Sequence, residues 1–139
     1  MKTRIKLQFK AEAVYLEAVR ALVLHYLKRV GVPHEKAREA TLAVDEACAN
    51  AIRHAYKDEP EGDITLLLRG DATTLEVVVA DKGASMKIPA TKKKAQQSTV
   101  RGVRAGGFGL PLMRRIFDDV RITTGAKRGN RVRMRMRLK

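Results

Sequence analysis

Leu42–Tyr56 reads LAVDEACANAIRHAY, with apolar residues returning every three or four positions, the period of a helix that buries one face. With the residues before it, this stretch predicts a helix from about His34 to Tyr56 whose core stripe is Ala40, Val44, Cys48, Ile52 and Ala55. Glu46, Asn50 and His54 fall at four-residue spacing, so they stand one above another on a single polar stripe. Ala43, Ala47, Ala49 and Ala51 surround them, and side chains that small let a bulky ligand approach the helix axis. Asparagine costs a helix interior roughly 0.5 kcal/mol against alanine, which points to a side-chain task for Asn50. Read alone, a solvated helix face accounts for the stripe better. Chemically, an amide oxygen at Asn50 can ligate Mg²⁺, a hard cation, and the carboxylate of Glu46 can accept a proton or orient a nucleophile.

Before this helix, Ile5, Leu7 and Phe9 alternate with Lys6, Gln8 and Lys10, which predicts a half-buried strand. From Ala11 the period changes, and Val14, Leu16, Val19, Val23, Tyr26, Leu27 and Val30 make a long amphipathic helix ended by Gly31 and Pro33. After it, Ile64–Arg69 and Thr74–Asp81 read as a hairpin about Gly70-Asp71. Asp81 shares parity with Leu75, Val77 and Val79, so its carboxylate should face the helices, where burial demands hydrogen-bond donors. The exocyclic amine of adenine is one suitable donor; a turn shaped by Asp81 and Gly83 is the plainer account of that cluster alone.

Ser85 to Arg104 carries Lys92-Lys93-Lys94 and no apolar periodicity, a length of loop usually found in lids and binding segments. Gly106-Gly107-Phe108-Gly109 then opens a short helix, about Leu110 to Phe117, whose first backbone N–H groups favour phosphate; a glycine hinge is the competing account. Val120, Ile122 and Thr124 read as a strand, Gly125–Gly129 as a turn, and Val132, Met134, Met136 and Leu138 as a last strand. Arg131, Arg133, Arg135 and Arg137 share that strand's other face, more simply a solvated surface than a partner's seat.

Composition narrows the function classes. With 139 residues, 45% hydrophobic and 32% charged, the chain suits one globular domain with its own core. One cysteine excludes an intramolecular disulfide framework, three scattered histidines lack zinc spacing, and no P-loop or Ser-His-Asp arrangement occurs. The apolar run Ala21–Leu27 is seven residues, far short of the roughly 20 that cross a bilayer, and the charged first residues contain no signal core. A cytoplasmic protein without membrane contact is expected. The net charge of +14 lies wholly in residues 87–139, which hold 16 Lys/Arg against 2 Asp/Glu, whereas residues 1–86 hold 13 of each. Nucleic acid, acidic protein or polyphosphate would be drawn to that half. Aromatic residues are only 4%, so the stacking platforms of single-strand binders are scarce and a nucleic-acid partner is not expected.

The three clusters and their order carry a resemblance. LAVDEACANAIRHAY, then VVVADKG at Val77–Gly83, then GGFGLPLM at Gly106–Met113 resemble the Bergerat-fold ATP-binding domain of the GHKL ATPase superfamily, closest to bacterial anti-sigma-factor serine/threonine kinases. The resemblance implies an α+β fold: a two-layer sandwich whose mixed, mostly antiparallel sheet is covered on one face by helices. It implies one domain over residues 1–139, with 85–105 as an ATP lid. By the same resemblance Asn50 would hold Mg²⁺ on the phosphates, and Glu46 would be the catalytic base. Asp81 would bind the adenine amine, Gly83 would let the base sit close, and Gly106, Gly107 and Gly109 would cradle phosphates. His54 matches the motif without an assigned role. The implied activity is an anti-sigma factor that uses ATP and Mg²⁺ to phosphorylate a serine or threonine of a small anti-anti-sigma protein. A sigma factor would be its other partner, and pairing as a homodimer is common in such proteins. The alternative is a non-catalytic ATP-binding switch of the same partner-switching system. Two departures stand out: the run Asp81-Lys82-Gly83-Ala84-Ser85 lacks the usual second glycine after Asp-x-Gly, and Gly129-Asn130 replaces the Gly-Thr that often meets the adenine side.

Overall fold

The computed structural model describes residues 2–56, 62–84, 109–125 and 129–138. Among these, strand β1 (Thr3–Lys10) leads through a 3₁₀ turn (Ala13–Tyr15) into α1 (Leu16–Arg29) and α2 (His34–Asn50). A π-helical turn (Ala51–Ala55) follows, then β2 (Asp63–Gly70), β3 (Thr74–Asp81), α3 (Leu110–Ile116), β4 (Asp119–Thr123) and β5 (Asn130–Arg137). The sheet order is β1-β2-β3-β5-β4, and all four pairings are antiparallel. The expected α+β sandwich is therefore present.

Alternation decides the layers. Ile64, Leu66, Leu68, Leu75, Val77, Val79, Val132, Met134 and Met136 point to the helices and are buried. Val19, Val23 and Leu27 of α1 and Ala40, Val44 and Cys48 of α2 meet them in one core. Burying each large aliphatic side chain is worth about 1.5–3 kcal/mol. Alanine along α2 leaves that helix little bulk on its packed faces, and its Ala37, Ala40, Ala43 and Ala47 are all buried.

The opposite face is open and basic. Arg4, Lys6 and Lys10, Arg69, Arg121, and Arg131, Arg133, Arg135 and Arg137 project from it against the carboxylates of Asp63, Glu76 and Asp119. The arginines of β5 do share one face, as their parity predicts, but they are not all simply solvated. Glu76, nearly buried at the centre of the sheet, accepts from Arg69 Nε at 2.9 Å and pairs with Arg133 and Arg135 at 3.7 and 3.6 Å.

Two expectations about helices need correction. The first helix does not begin at Ala11. The Ala11 N–H is tied to the Gly62 carbonyl at 2.8 Å and Glu12 is extended (φ −125°, ψ 134°), so helical turns start only at Ala13 and the α-helix at Leu16. Val14, placed in the apolar stripe by its period, is instead 74% exposed. The second helix keeps its α-geometry only to Asn50 and widens into the π turn, closed by the Tyr56 N–H on the Ala51 carbonyl at 3.0 Å.

Gly129, at the entry to β5, adopts φ +78°, and a Cβ there would overlap the carbonyl oxygen of Asp81 and stand 2.7 Å from the Lys82 Cα. Left-handed backbone and a rigid neighbour both oppose a side chain. Gly129→Ala is expected to destabilise the fold by about 2–5 kcal/mol, read as a lowered urea midpoint at unchanged slope.

Candidate functional site

Asn50 closes α2 and is 1% exposed, so the solvated-face account of its stripe is wrong for this residue. Its Oδ1 accepts from Arg53 Nη2 at 3.2 Å, and the same nitrogen lies 3.5 Å from Glu46 Oε1. Arg53 thus sits against both. Its place was available from sequence, since it follows Asn50 by three residues and Glu46 by seven, but a lone arginine on a basic chain carries no local signal. Burial raises the Glu46 pKa above its ordinary value; the Arg53 guanidinium opposes this and the neighbouring Asp45 adds to it.

Glu46 also marks where α3 meets α2. Gly109, the residue before α3, has φ +72°, and a Cβ on it would overlap Cγ of Glu46 and lie 3.2 Å from its Cβ. The backbone at Gly109 therefore rests directly on the Glu46 side chain. Gly106 and Gly107, and the 85–105 segment expected to be a lid, lie outside the described residues, as does the side chain of His54.

Asp81 ends β3 on the helix-facing side, as its parity predicts, and is 4% exposed. Its Oδ1 accepts from the Gly83 N–H at 2.9 Å and from Asn130 Nδ2 at 2.8 Å; Asn130 Nδ2 also donates to the Ala84 carbonyl at 2.8 Å. Among the described residues every buried side-chain N or O has a partner and Oδ2 accepts no bond, so Oδ2 keeps some exposure. Burial pushes the Asp81 carboxyl pKa up, against the lowering effect of those two donors. The Gly83 bond, made to the side chain two residues before it, is an Asx turn, which is the turn that the plainer account of this cluster expects. Asn130, noted only as a departure from Gly-Thr, is buried and fixes the same oxygen.

Tyr56 joins the two halves. Its hydroxyl donates to the Asp63 carbonyl and accepts from the Lys82 N–H, both at 2.8 Å. This ties the end of the helix that carries Asn50 to the end of the strand that carries Asp81. Between Asn50 and Tyr56 lies only the five-residue π turn Ala51–Ala55. Glu46 and Asn50 thus share Arg53, the backbone at Gly109 rests on Glu46, and Tyr56 links the turn after Asn50 to the residue after Asp81. No group of three or more His, Cys, Asp or Glu among the described residues could hold a metal by itself. Cys48 is fully buried in the core, its thiol pushed up to about 12 by desolvation, which fits the small apolar filler its place in the stripe predicts.

Comparisons with known proteins follow this geometry. The family model described as the histidine kinase-like ATPase domain matches residues 9–136. Serine-protein kinase RsbW of Bacillus velezensis is 31% identical over 126 residues, covering 88% of this chain and 79% of that protein. The protein of the same name from Bacillus pumilus is 32% identical over 127 residues, covering 85% and 76%. Among solved structures, the RsbU and RsbW domains of Rv1364c from Mycobacterium tuberculosis superpose with a TM-score of 0.65 at 19% identity, over 97% of this chain and 32% of that one. The histidine kinase domain of the Erythrobacter litoralis EL346 blue-light-activated histidine kinase superposes at 0.58 with 24% identity, over 90% and 60%. At those identities the two structures share the fold.

Proposed function

Because the chain belongs to the histidine kinase-like ATPase domain family, we propose that its helix-side end binds ATP and transfers the terminal phosphoryl group to a serine or threonine of a small anti-anti-sigma protein. In this reading the chain also binds and restrains a sigma factor. The observation that carries the activity is the match along 88% of the chain to a serine-protein kinase, joined to the contact of Glu46 with Asn50's partner Arg53 and with the backbone at Gly109.

Each residue has a role that its surroundings suit. Asp81, with Oδ1 already held by Asn130 and Gly83, offers Oδ2 to the exocyclic amine of adenine. Gly83 lets the base lie close to the strand end, and Gly106, Gly107 and Gly109 would bring backbone N–H groups to the phosphates. Glu46 is the base that takes the hydroxyl proton of the acceptor. Burial suits it to that task, since its raised pKa makes it a better proton acceptor than a solvated carboxylate.

Asn50 offers an amide oxygen, a hard donor of the kind Mg²⁺ takes, and Arg53, which donates to that oxygen at 3.2 Å, would have to turn from it toward the phosphates for the cation to bind. Mg²⁺ held there would supply positive charge against that of the phosphates, which phosphoryl transfer requires. With no cluster of acids in reach among the described residues, such a site would depend on the nucleotide for its other ligands.

Calorimetric titration with ATP in the presence of Mg²⁺, followed by radiolabel transfer to the anti-anti-sigma protein encoded by the same organism, tests the reading. Saturable one-site binding and a labelled serine or threonine are expected. Absence of nucleotide binding overturns the whole reading, and binding without transfer leaves the non-catalytic switch.

A further inference from the structure

A concavity of about 860 Å³ lies on the open face of the sheet, away from Glu46 and Asn50 and reaching Tyr56, Asp81 and Asn130 at one end. The register explains its shape. Lys6, Leu67, Val78 and Arg133 stand in one row across four strands, and Gln8, Thr65, Ala80 and Arg131 in the next. Each row is short or apolar in the middle; the first is basic at both ends, and the second is basic at Arg131 and neutral at Gln8. A third row closes the trough with Glu76 and the arginines gathered on it.

We propose that this trough docks an acidic amphipathic helix of a partner protein, its apolar stripe on the half-buried Leu67 beside the nearly buried Val78 and its carboxylates between the β1 and β5 rims. Three observations carry the choice. The outer columns are three strand spacings apart, about 14 Å, and an α-helix with side chains is about 10–12 Å across. Among the described residues Arg4, Lys6 and Arg131 have no carboxylate partner, whereas Arg69, Arg133 and Arg135 converge on Glu76. The rims therefore hold cations that nothing in the described fold neutralises.

The third observation is what the floor lacks. Tyr56 is the one aromatic residue lining the trough, and its hydroxyl is committed at both ends, so a nucleic-acid strand finds no stacking platform. A second copy of the same face would bring cation against cation. An acidic helix meets both the charge and the apolar floor.

The probe is a fluorescein-labelled helical peptide of about eighteen residues, or five turns, with leucines on one face and glutamates flanking them. Fluorescence anisotropy should record saturable binding that weakens as salt rises. Lys6→Glu with Arg131→Glu should weaken it about tenfold or more, and Leu67→Ser should weaken it at unchanged salt dependence. Arg121→Glu, the same charge change beyond β5, should leave it within about twofold. ATP binding by Lys6→Glu and by Leu67→Ser, neither of them at the Asp81 end of the trough, should be unchanged, which checks their folding and separates this surface from the nucleotide site. The proposal is overturned if Arg121→Glu weakens binding as much as the rim pair does. It is equally overturned if oligo-dT of the same length binds as tightly, or if the rim variants change the sedimenting mass of the protein instead of peptide affinity.

Discussion

Glu46→Gln is expected to slow phosphoryl transfer by about 10²–10⁴-fold while ATP affinity stays within about twofold. Glutamine keeps the shape that rests on the Gly109 backbone and keeps an oxygen for Arg53, so the fold and the phosphate end should not move. What it loses is the ability to accept a proton. Initial rates of radiolabel transfer at saturating ATP, set beside calorimetry on the same variant, separate the two effects. Transfer at the wild-type rate removes Glu46 from the base role. The pH profile gives the sign independently. Glu46 must be ionised to act, and burial raises its pKa from 4.5, so activity falls as pH drops through a limb lying above 4.5. Arg53→Ala takes away the cation that opposes the rise, so that limb should move to higher pH.

Much of this arrangement was legible because it rests on periodicity. The parity of Asp81 with Val77 and Val79 placed its carboxylate on the covered face, and the same rule put four arginines of β5 on the open one. Four-residue spacing put Glu46 and Asn50 on one side of α2, but could not say which side was covered. Covering comes from elements far away in sequence: α3 reaches Glu46 through Gly109, and the strand end reaches the helix end through Tyr56. Pairings between distant residues leave no local signal. Asn130 on Asp81 Oδ1, Gly129 against the Asp81 carbonyl and Glu76 among three arginines are all of this kind. The start of α1 was misplaced for the same reason, since the hydrogen bond that holds Ala11 comes from Gly62.

The carboxylate at Asp81 also makes a prediction about which purine is accepted. Oδ1 is occupied by Asn130 and Gly83, so the oxygen left for a base is a pure acceptor, suited to an amine and opposed to a carbonyl. ATP presents the amine at that position of the ring and inosine triphosphate presents a carbonyl oxygen. Wild-type protein should therefore prefer ATP by about 10²-fold or more, because the wrong base leaves both oxygens facing each other without a proton between them. Asp81→Asn should weaken ATP by about 10–100-fold, the loss of one hydrogen bond to a charged acceptor of about 1.5–3 kcal/mol. The same change should tighten inosine triphosphate, since the amide can turn its NH₂ toward the carbonyl. Competition between the two nucleotides for a fluorescent ATP analogue measures the ratio directly. A fall in affinity for both by the same factor would mean that Asp81 serves only to hold Asn130 and the turn at Gly83. A reversal of preference would place the carboxylate on the base itself.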